Sequence, residues 1–330
     1  MPPLLEIHDL SVEYRIREGT VRAVRGVNLR LEPGEILALV GESGAGKTTV
    51  GLSILGMLPR QAEITTGGIR LAGRDLAQIS KEELREVRGA AISMIFQDPV
   101  AGLNPIVPVG KQVEEVVASH RAVSNHDARE LALDALASMR LPDPDRIAKA
   151  FPGEQSGGMC QRVMIAIATV LDPQVLIADE PTAALDVTIQ AQILEELERL
   201  RRDRGTAILL ITHDMGVVAQ TADRVTVMYA GSVAESGDIQ GIFKSPRHPY
   251  TSAVLDTLPP MDRKRQRRLP QIAGSPPDLT KWDGKCAYLS RCPKALTICR
   301  TDDEPLLASV EGSNAGHTAA CYNPVAIESF

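Results

Sequence analysis

The segment Gly41–Thr48 constrains this chain more than any other part of its sequence. It reads GESGAGKT, which fits the pattern G-x-x-x-x-G-K-[ST], and it follows the apolar run Ile36–Val40. A phosphate-binding loop needs this order: a buried strand, a turn whose glycines bring main-chain N–H groups close to an anion, and a helix N-terminus. We therefore predict a nucleotide site in which Lys47 contacts the β- and γ-phosphates and the Thr48 hydroxyl binds Mg²⁺. The alternative, a chance glycine-rich loop, is weakened by the preceding strand.

Two carboxylates end a second apolar run. Asp179 and Glu180 follow Val175–Ala178, which we predict to be a fully buried strand. Because open α/β sheets bind ligands at the carboxyl ends of their strands, we expect Asp179 to hold Mg²⁺ and Glu180 to polarise the attacking water. Adjacent acids more commonly form a solvated turn, but acids that end a hydrophobic strand rarely do.

Two more polar residues end predicted strands. Gln97 follows the run 91–96, and His213 follows the run 207–211 after Thr212. We expect Gln97 to hold Mg²⁺ or the attacking water, and His213 to contact the γ-phosphate. Taken alone, the position of Gln97 is more typical of an ordinary strand-end loop.

The pattern becomes helical between about Leu103 and Met139, where apolar residues are spaced for buried helix faces. We interpret this as a helical subdomain inserted into the α/β core. The glycine-containing segment Ser156–Gly157–Gly158 follows it, and Ser156 fits an N-cap. The segment therefore predicts a second anion-binding helix N-terminus, with a plain helix cap as the alternative.

Composition excludes several classes of protein. The 330 residues carry a formal net charge of −6, which argues against a general nucleic-acid binder. The N-terminus has no charged-then-apolar signal pattern, so we expect a cytoplasmic chain. The longest apolar run, near 163–171, is far shorter than the ~20 residues of a spanning helix. Any membrane role is therefore expected to come through partners.

The last part of the chain contains four of its five cysteines, Cys286, Cys292, Cys299 and Cys321. In a reducing compartment, such clustering indicates metal before disulfide. Four thiolates suit zinc or an iron–sulfur cluster, and the spacing alone does not separate the two; reduced, unligated cysteines are the third possibility. The basic run Met261–Arg268 precedes them and is typical of a solvated linker, or less commonly of a membrane-surface contact.

Together these motifs resemble the nucleotide-binding subunit of ATP-binding cassette (ABC) transporters over residues of about 4–245. The resemblance implies an α/β fold, a P-loop NTPase (RecA-like) core with a helical subdomain at about 100–165. It implies Walker A, Q-loop, signature, Walker B, D-loop (Asp186) and switch-histidine motifs in that order. The signature departs from the usual Leu-Ser-Gly-Gly-Gln at its first and last positions, Gln155 and Met159.

The resemblance assigns site residues position by position. It implies catalytic roles for Glu180, His213, Gln97 and Lys47, and Mg²⁺ ligation by Thr48, Gln97 and Asp179. It implies ATP contacts from Tyr14 (stacking on adenine), Gly41, Glu42, Ser43, Gly44, Ala45, Gly46, Lys47, Thr48, Thr49, Gln97 and Asp179, with Ser156, Gly157 and Gly158 contacting the ATP of the partner subunit.

Within that family, the phrases Ile95–Pro99 and Pro246–Tyr250 look like those of dipeptide and oligopeptide importer ATPases. This closer resemblance implies a nucleotide-binding domain at 1–245 and a small Cys-rich metal-binding extension at 246–330. It favours a [4Fe–4S] cluster on the four cysteines, with Zn²⁺ as the alternative.

The implied activity is ATP hydrolysis that powers peptide import at the cytoplasmic face of the bacterial inner membrane. The implied partners are two membrane-spanning permeases, a second homologous ATPase (a heterodimer, or alternatively a homodimer), and indirectly an extracytoplasmic solute-binding protein. Alternatives are an importer of nickel or another small solute, a soluble cassette protein acting on nucleic acid or ribosomes, and a metal-sensing module that only binds ATP.

Overall fold

A computed structural model of the chain describes residues 2–183, 185–258, 271–310 and 316–326. The predicted linker Met261–Arg268 lies outside these residues. The strands are β1 (Leu5–Ile16), β2 (Gly19–Leu31), β3 (Ile36–Val40), β4 (Ala62–Leu71), β5 (Arg74–Asp75), β6 (Ile92–Ile95), β7 (Val175–Asp179), β8 (Ala207–Thr212), β9 (Arg224–Tyr229), β10 (Ser232–Asp238), β11 (Ala308–Ser309) and β12 (Thr318–Ala319).

Eleven α-helices lie within the described residues. They are α1 (Lys47–Ile54), α2 (Lys81–Ala90), α3 (Val109–His120), α4 (Asn125–Ser138), α5 (Pro144–Lys149), α6 (Gly157–Thr169), α7 (Val187–Arg204), α8 (Met215–Thr221), α9 (Ile239–Lys244), α10 (Pro249–Asp256) and α11 (Ile298–Thr301). None of the helices in the described ranges is long and apolar enough to cross a membrane.

One compact unit comprises residues 2–5, 31–35 and 72–210. In it β6 and β7 pair in parallel from Ile92 opposite Val175 to Ile95 opposite Ala178, and β8 begins on the other side of β7. Every residue of β6 and β7 is buried. This burial explains the uninterrupted apolar runs in the sequence, because parallel strands are usually covered on both faces.

The helices α3 to α6 pack on one another in the same unit. Val109, Val113 and Val117 are buried along one face of α3, as the helical spacing predicts. Gly110 lets α3 approach α5 closely, because a Cβ there would lie 2.5 Å from the Cβ of Ala148. The first helix of this group, α3, begins at Val109 rather than near Leu103. Pro105 and Pro108 each disfavour helical backbone at the residue that precedes them.

The second unit comprises 6–30, 36–71 and the described residues from 211 onward. It contains the strand order β2-β1-β4 and, separately, β11-β12-β10-β9-β3. β3 pairs in parallel with β9, whereas β10 pairs antiparallel with both β9 and β12. The strand β12 therefore extends the sheet with residues from the cysteine-containing end of the chain.

Two elements near the phosphate loop have bounds that the local sequence helps to explain. Helix α1 ends at Ile54, because Gly56 adopts a left-handed φ of 59° just beyond it. Strand β4 begins at Ala62, and its first half is largely exposed and shows no apolar alternation.

A buried carboxylate holds three segments of the second unit together. Glu235 on β10 is fully buried. Its oxygens accept hydrogen bonds from the main-chain N–H groups of Arg247 (2.6 Å) and His248 (2.8 Å), and one oxygen lies 2.6 Å from Nε2 of His317. One side chain thus joins the sheet to the start of α10 and to the residue before β12.

We predict that Glu235→Gln lowers the free energy of unfolding by about 1–3 kcal/mol, because an amide NH₂ would face a buried donor in place of an oxygen. Urea unfolding of the full chain measures this change. The matched control is Glu63→Gln, which removes an exposed ion pair with Arg15 (2.5 Å) and should change stability by less than about 1 kcal/mol. Equal effects of the two substitutions would contradict the proposed importance of the buried carboxylate.

Candidate functional site

The phosphate loop connects buried β3 to α1, as its sequence predicts. Gly46 is the N-cap of α1 with a left-handed φ of 97°. The buried Lys47 turns back over the loop, and its Nζ donates hydrogen bonds to the carbonyl oxygens of Gly41 (2.8 Å) and Glu42 (3.0 Å). The ammonium group is thus held within the loop, whereas Ser43 and Thr48 are exposed.

Two glycines of the loop are required by close main-chain contacts. A Cβ on Gly46 would lie 2.3 Å from the carbonyl oxygen of Ala23 on β2. A Cβ on Gly41 would lie 2.2 Å from the carbonyl oxygen of Met228 on β9. Both distances are far below any real contact of a Cβ, so only glycine fits at these two positions.

Tyr14 and His213 belong to the same unit as the loop. The hydroxyl of half-buried Tyr14 lies 3.2 Å from the Thr49 hydroxyl, which brings the predicted base-stacking residue to the start of α1. His213 directly follows β8 and is exposed. Its neighbour Asp214 is the N-cap of α8 and accepts hydrogen bonds from two main-chain N–H groups.

The predicted acids lie at the end of β7 in the other unit. Asp179 is 1% exposed, whereas Glu180 is half-buried and adopts a left-handed φ of 47°. Nonglycine residues in this conformation are strained and are commonly found at functional sites. The side-chain amide of Gln97 donates to Glu180 (3.2 Å), so two of the predicted catalytic residues are in contact.

The predicted signature segment begins α6. The Ser156 hydroxyl caps this helix by accepting the Met159 N–H at 3.3 Å, and Ser156 and Gly157 are exposed. The exposed N-terminus carries the positive end of the helix dipole, which suits an anion supplied from outside. Asp186 has a comparable structural task, since its carboxylate caps α7.

All four cysteines of the C-terminal segment line one small cavity. Tyr288 and His248 also form part of its wall. Burial raises the pKa of Cys286 to about 11 and also raises the pKa values of Cys292 and Cys321. In the absence of a cation these groups are therefore thiols, and a metal would have to displace their protons.

The two candidate metal groups need different sulfur spacings. Tetrahedral zinc holds each sulfur at about 2.3 Å, so its thiolates lie closer than about 4 Å to one another. A four-iron cluster holds one thiolate on each of its separated irons. Among the described residues, no three cysteine sulfurs lie within 4.8 Å of one another. The four thiols at one cavity supply the soft donors that either metal group requires.

Sequence reasoning missed Arg291, which directly precedes Cys292. Its guanidinium donates to both carboxylate oxygens of Glu42, the second residue of the phosphate loop, at 2.9 and 3.1 Å. No local pattern could have found this pair, because the two residues are 249 positions apart. The sole sequence signal is the presence of an arginine beside a candidate metal ligand.

Comparison with known proteins places this site in a class. Residues 24–183 match the family profile described as ABC transporter, and residues 234–299 match the profile for the C-terminal region of oligopeptide/dipeptide transporters. An ATP-binding cassette solved as a dimer in a post-hydrolysis state with ADP and Pi is similar in structure, with a TM-score of 0.66. It is 28% identical, and the alignment covers 72% of this chain and 99% of that one. The chain is thus an ABC-type ATPase.

Two curated relatives narrow the class. A probable peptide ABC transporter ATP-binding protein of Sinorhizobium fredii is 47% identical over 97% of this chain and 94% of its own length. The dipeptide transport ATP-binding protein DppD of Bacillus subtilis is 47% identical over 91% of this chain and 89% of its own. The chain belongs to the family of ATP-binding proteins of peptide ABC transporters.

We predict that Gly46→Ala lowers the free energy of unfolding by about 1–3 kcal/mol more than Gly44→Ala does. Both glycines have a left-handed φ, of 97° and 80°, so both substitutions carry the same backbone strain. Only Gly46→Ala also drives a Cβ into a main-chain carbonyl, since nothing lies within 4 Å of a Cβ on Gly44. Thermal or urea unfolding gives the difference, and equal losses would contradict the close-approach argument.

Proposed function

We propose that this chain hydrolyses ATP to power the import of dipeptides or oligopeptides. The observation that carries this proposal is the 47% identity with a peptide-transport ATP-binding protein over 97% of the chain. The relatives described above are named for peptides, which favours peptides over nickel as cargo.

The proposed roles follow from the chemistry of each group. Lys47 neutralises the β- and γ-phosphates, and Thr48 and Asp179 bind Mg²⁺ through oxygen. Glu180 polarises the attacking water, and the amide of Gln97 orients both Glu180 and Mg²⁺. His213 contacts the γ-phosphate, and Tyr14 stacks on adenine. The contact between the Gln97 amide and Glu180 (3.2 Å) supports a joint role for these two residues.

The proposed partners follow from the exposed signature helix. We infer that the N-terminus of α6 contacts ATP held by a second ATPase subunit, either a homologous chain or another copy. The dimeric cassette with bound ADP and Pi supports pairing of this kind. Two permeases would bind the ATPase subunits at the cytoplasmic face of the membrane and would respond to their association and separation. A solute-binding protein would deliver the peptide from the other side.

We further propose that Cys286, Cys292, Cys299 and Cys321 bind a [4Fe–4S] cluster. The lining of one cavity by all four cysteines supports a shared metal group, and the resemblance to peptide-importer ATPases favours a cluster over zinc. When bound, such a cluster would cross-link four points of a segment whose secondary structure is short. Its expected contribution is therefore to folding, because a bound metal group adds its binding free energy to the folded state.

Glu180→Gln is expected to lower the ATPase turnover of the assembled transporter by at least ~100-fold, since the neutral amide cannot act as a base. ATP should still bind with little change in affinity. The assay uses the chain reconstituted with its permeases, with and without a peptide-loaded binding protein. Glu195→Gln is the control, because this exposed carboxylate pairs with Arg140 (2.9 Å) and has no proposed role in catalysis. Near-normal turnover in Glu180→Gln would remove this residue from the proposed role.

Anaerobically purified protein is expected to contain about four iron and four sulfide per chain and to be brown. Cys286→Ser should lose most of this iron. Cys160→Ser should keep it, because Cys160 lies apart from the cavity, with its thiol 3.4 Å from the Pro152 carbonyl oxygen. A colourless preparation that contains zinc and no iron would refute the cluster without affecting the ATPase proposal.

A further inference from the structure

The side chain of Arg291 contacts both the phosphate loop and the cysteine-containing segment. It is only 4% exposed, and it forms two parallel hydrogen bonds to the Glu42 carboxylate. It also donates to the Tyr229 hydroxyl (3.1 Å) and to the carbonyl oxygen of Ala273 (2.9 Å). Two-point pairing of a guanidinium with a carboxylate fixes orientation as well as distance, and a lysine cannot reproduce it.

Three tyrosines extend this contact to the wall of the cysteine cavity. The rings of Tyr229, Tyr250 and Tyr288 pack with centroid distances of 4.5 to 5.4 Å. The Tyr250 hydroxyl accepts the main-chain N–H of Glu42 at 3.0 Å, while Tyr288 lines the cavity. All three rings are buried. Contiguous packed side chains thus run from the second residue of the phosphate loop to the four cysteines.

The pairing has an electrostatic consequence for a nucleotide. Glu42 belongs to the loop that we propose binds a polyanion, and its unpaired charge would repel the phosphates. Arg291 cancels this charge. Arg291 also fixes the position of Glu42, whose carbonyl oxygen accepts a hydrogen bond from Lys47. Loss of Arg291 would therefore both add a repulsive charge and loosen the loop.

We propose that Arg291 is a positioning residue for ATP binding, and that through it the affinity for ATP depends on the integrity of the four-cysteine segment. Arg291 ends a short 3-10 turn, and Cys292 follows immediately. Loss of the metal group from the cysteines would allow this turn to change conformation. The Arg291 guanidinium would then lose its hydrogen bonds to the Glu42 carboxylate. This proposal rests on the proposed function for its two ligands, ATP at the loop and metal at the cysteines.

The test measures the dissociation constant of a fluorescent ATP analogue on the purified, iron-containing full chain. Arg291→Gln is expected to raise it at least ~10-fold, and hydrogen exchange of the main-chain amides at 41–48 should become faster. Arg300→Gln is the matched control, since Arg300 is exposed and adjacent to Cys299. It should leave both readouts unchanged. Arg291→Lys keeps the charge without the two-point pairing and should give an intermediate affinity, which provides a readout if the glutamine variant folds poorly.

Two further measurements separate the effect of the Glu42 charge on ATP binding from the effect of the metal group on ATP binding. Glu42→Gln combined with Arg291→Gln should bind ATP more tightly than Arg291→Gln alone, because the uncompensated carboxylate is gone. Chelation of iron from the wild-type chain should weaken ATP binding, and chelation from Arg291→Gln should weaken it no further. An unchanged affinity in Arg291→Gln, in a wild-type background that binds ATP and contains iron, would overturn this proposal and leave the proposed function intact. Wild-type protein that binds no ATP would instead overturn the proposed function.

Discussion

The conformation of the phosphate loop depends on two close contacts between main-chain atoms, which leave no room for a side chain. Gly46 lies against the Ala23 carbonyl and Gly41 against the Met228 carbonyl, at distances that exclude a Cβ. These partners belong to β2 and β9, on opposite sides of the loop in sequence. The shape of the anion-binding turn is therefore set by strands far from it in the chain, and its conformation depends on both strands remaining in place.

Elements with a local hydrophobic pattern could be predicted from the sequence, whereas elements formed by contacts between distant residues could not. Buried parallel strands such as β3 and β7 are apolar at almost every position, so their existence and their polar ends could be predicted. The strand β4 carries no clear apolar alternation, because six of its ten residues are exposed, so a local pattern predicts it poorly. The strand β12 has two residues and no pattern of its own; its pairing with β10 alone makes it a strand.

Side chains that act across long separations were not predictable from local patterns. In the sequence, the fully buried Glu235 looks like any other charged residue of a strand, and only the structure reveals its three hydrogen-bond partners. Likewise, the four cysteine positions indicated a metal site, but only the structure shows that all four line one cavity. Local sequence patterns predict secondary structure, whereas contacts between distant residues depend on how the folded chain packs.

The C-terminal segment is joined to the nucleotide-binding part of its unit by ion pairs, by the pairing of β12 with β10, and by the packing of Tyr288 on Tyr229 and Tyr250. Arg25 of β2 pairs with Glu304 and lies 3.8 Å from the ring centre of Trp282, in addition to the Arg291–Glu42 pair. Charge-assisted pairs of this kind fix orientation as well as distance. Because Arg291 directly precedes Cys292 and its guanidinium pairs with Glu42 of the phosphate loop, a displacement of the cysteine-containing segment would reach the loop through this pair.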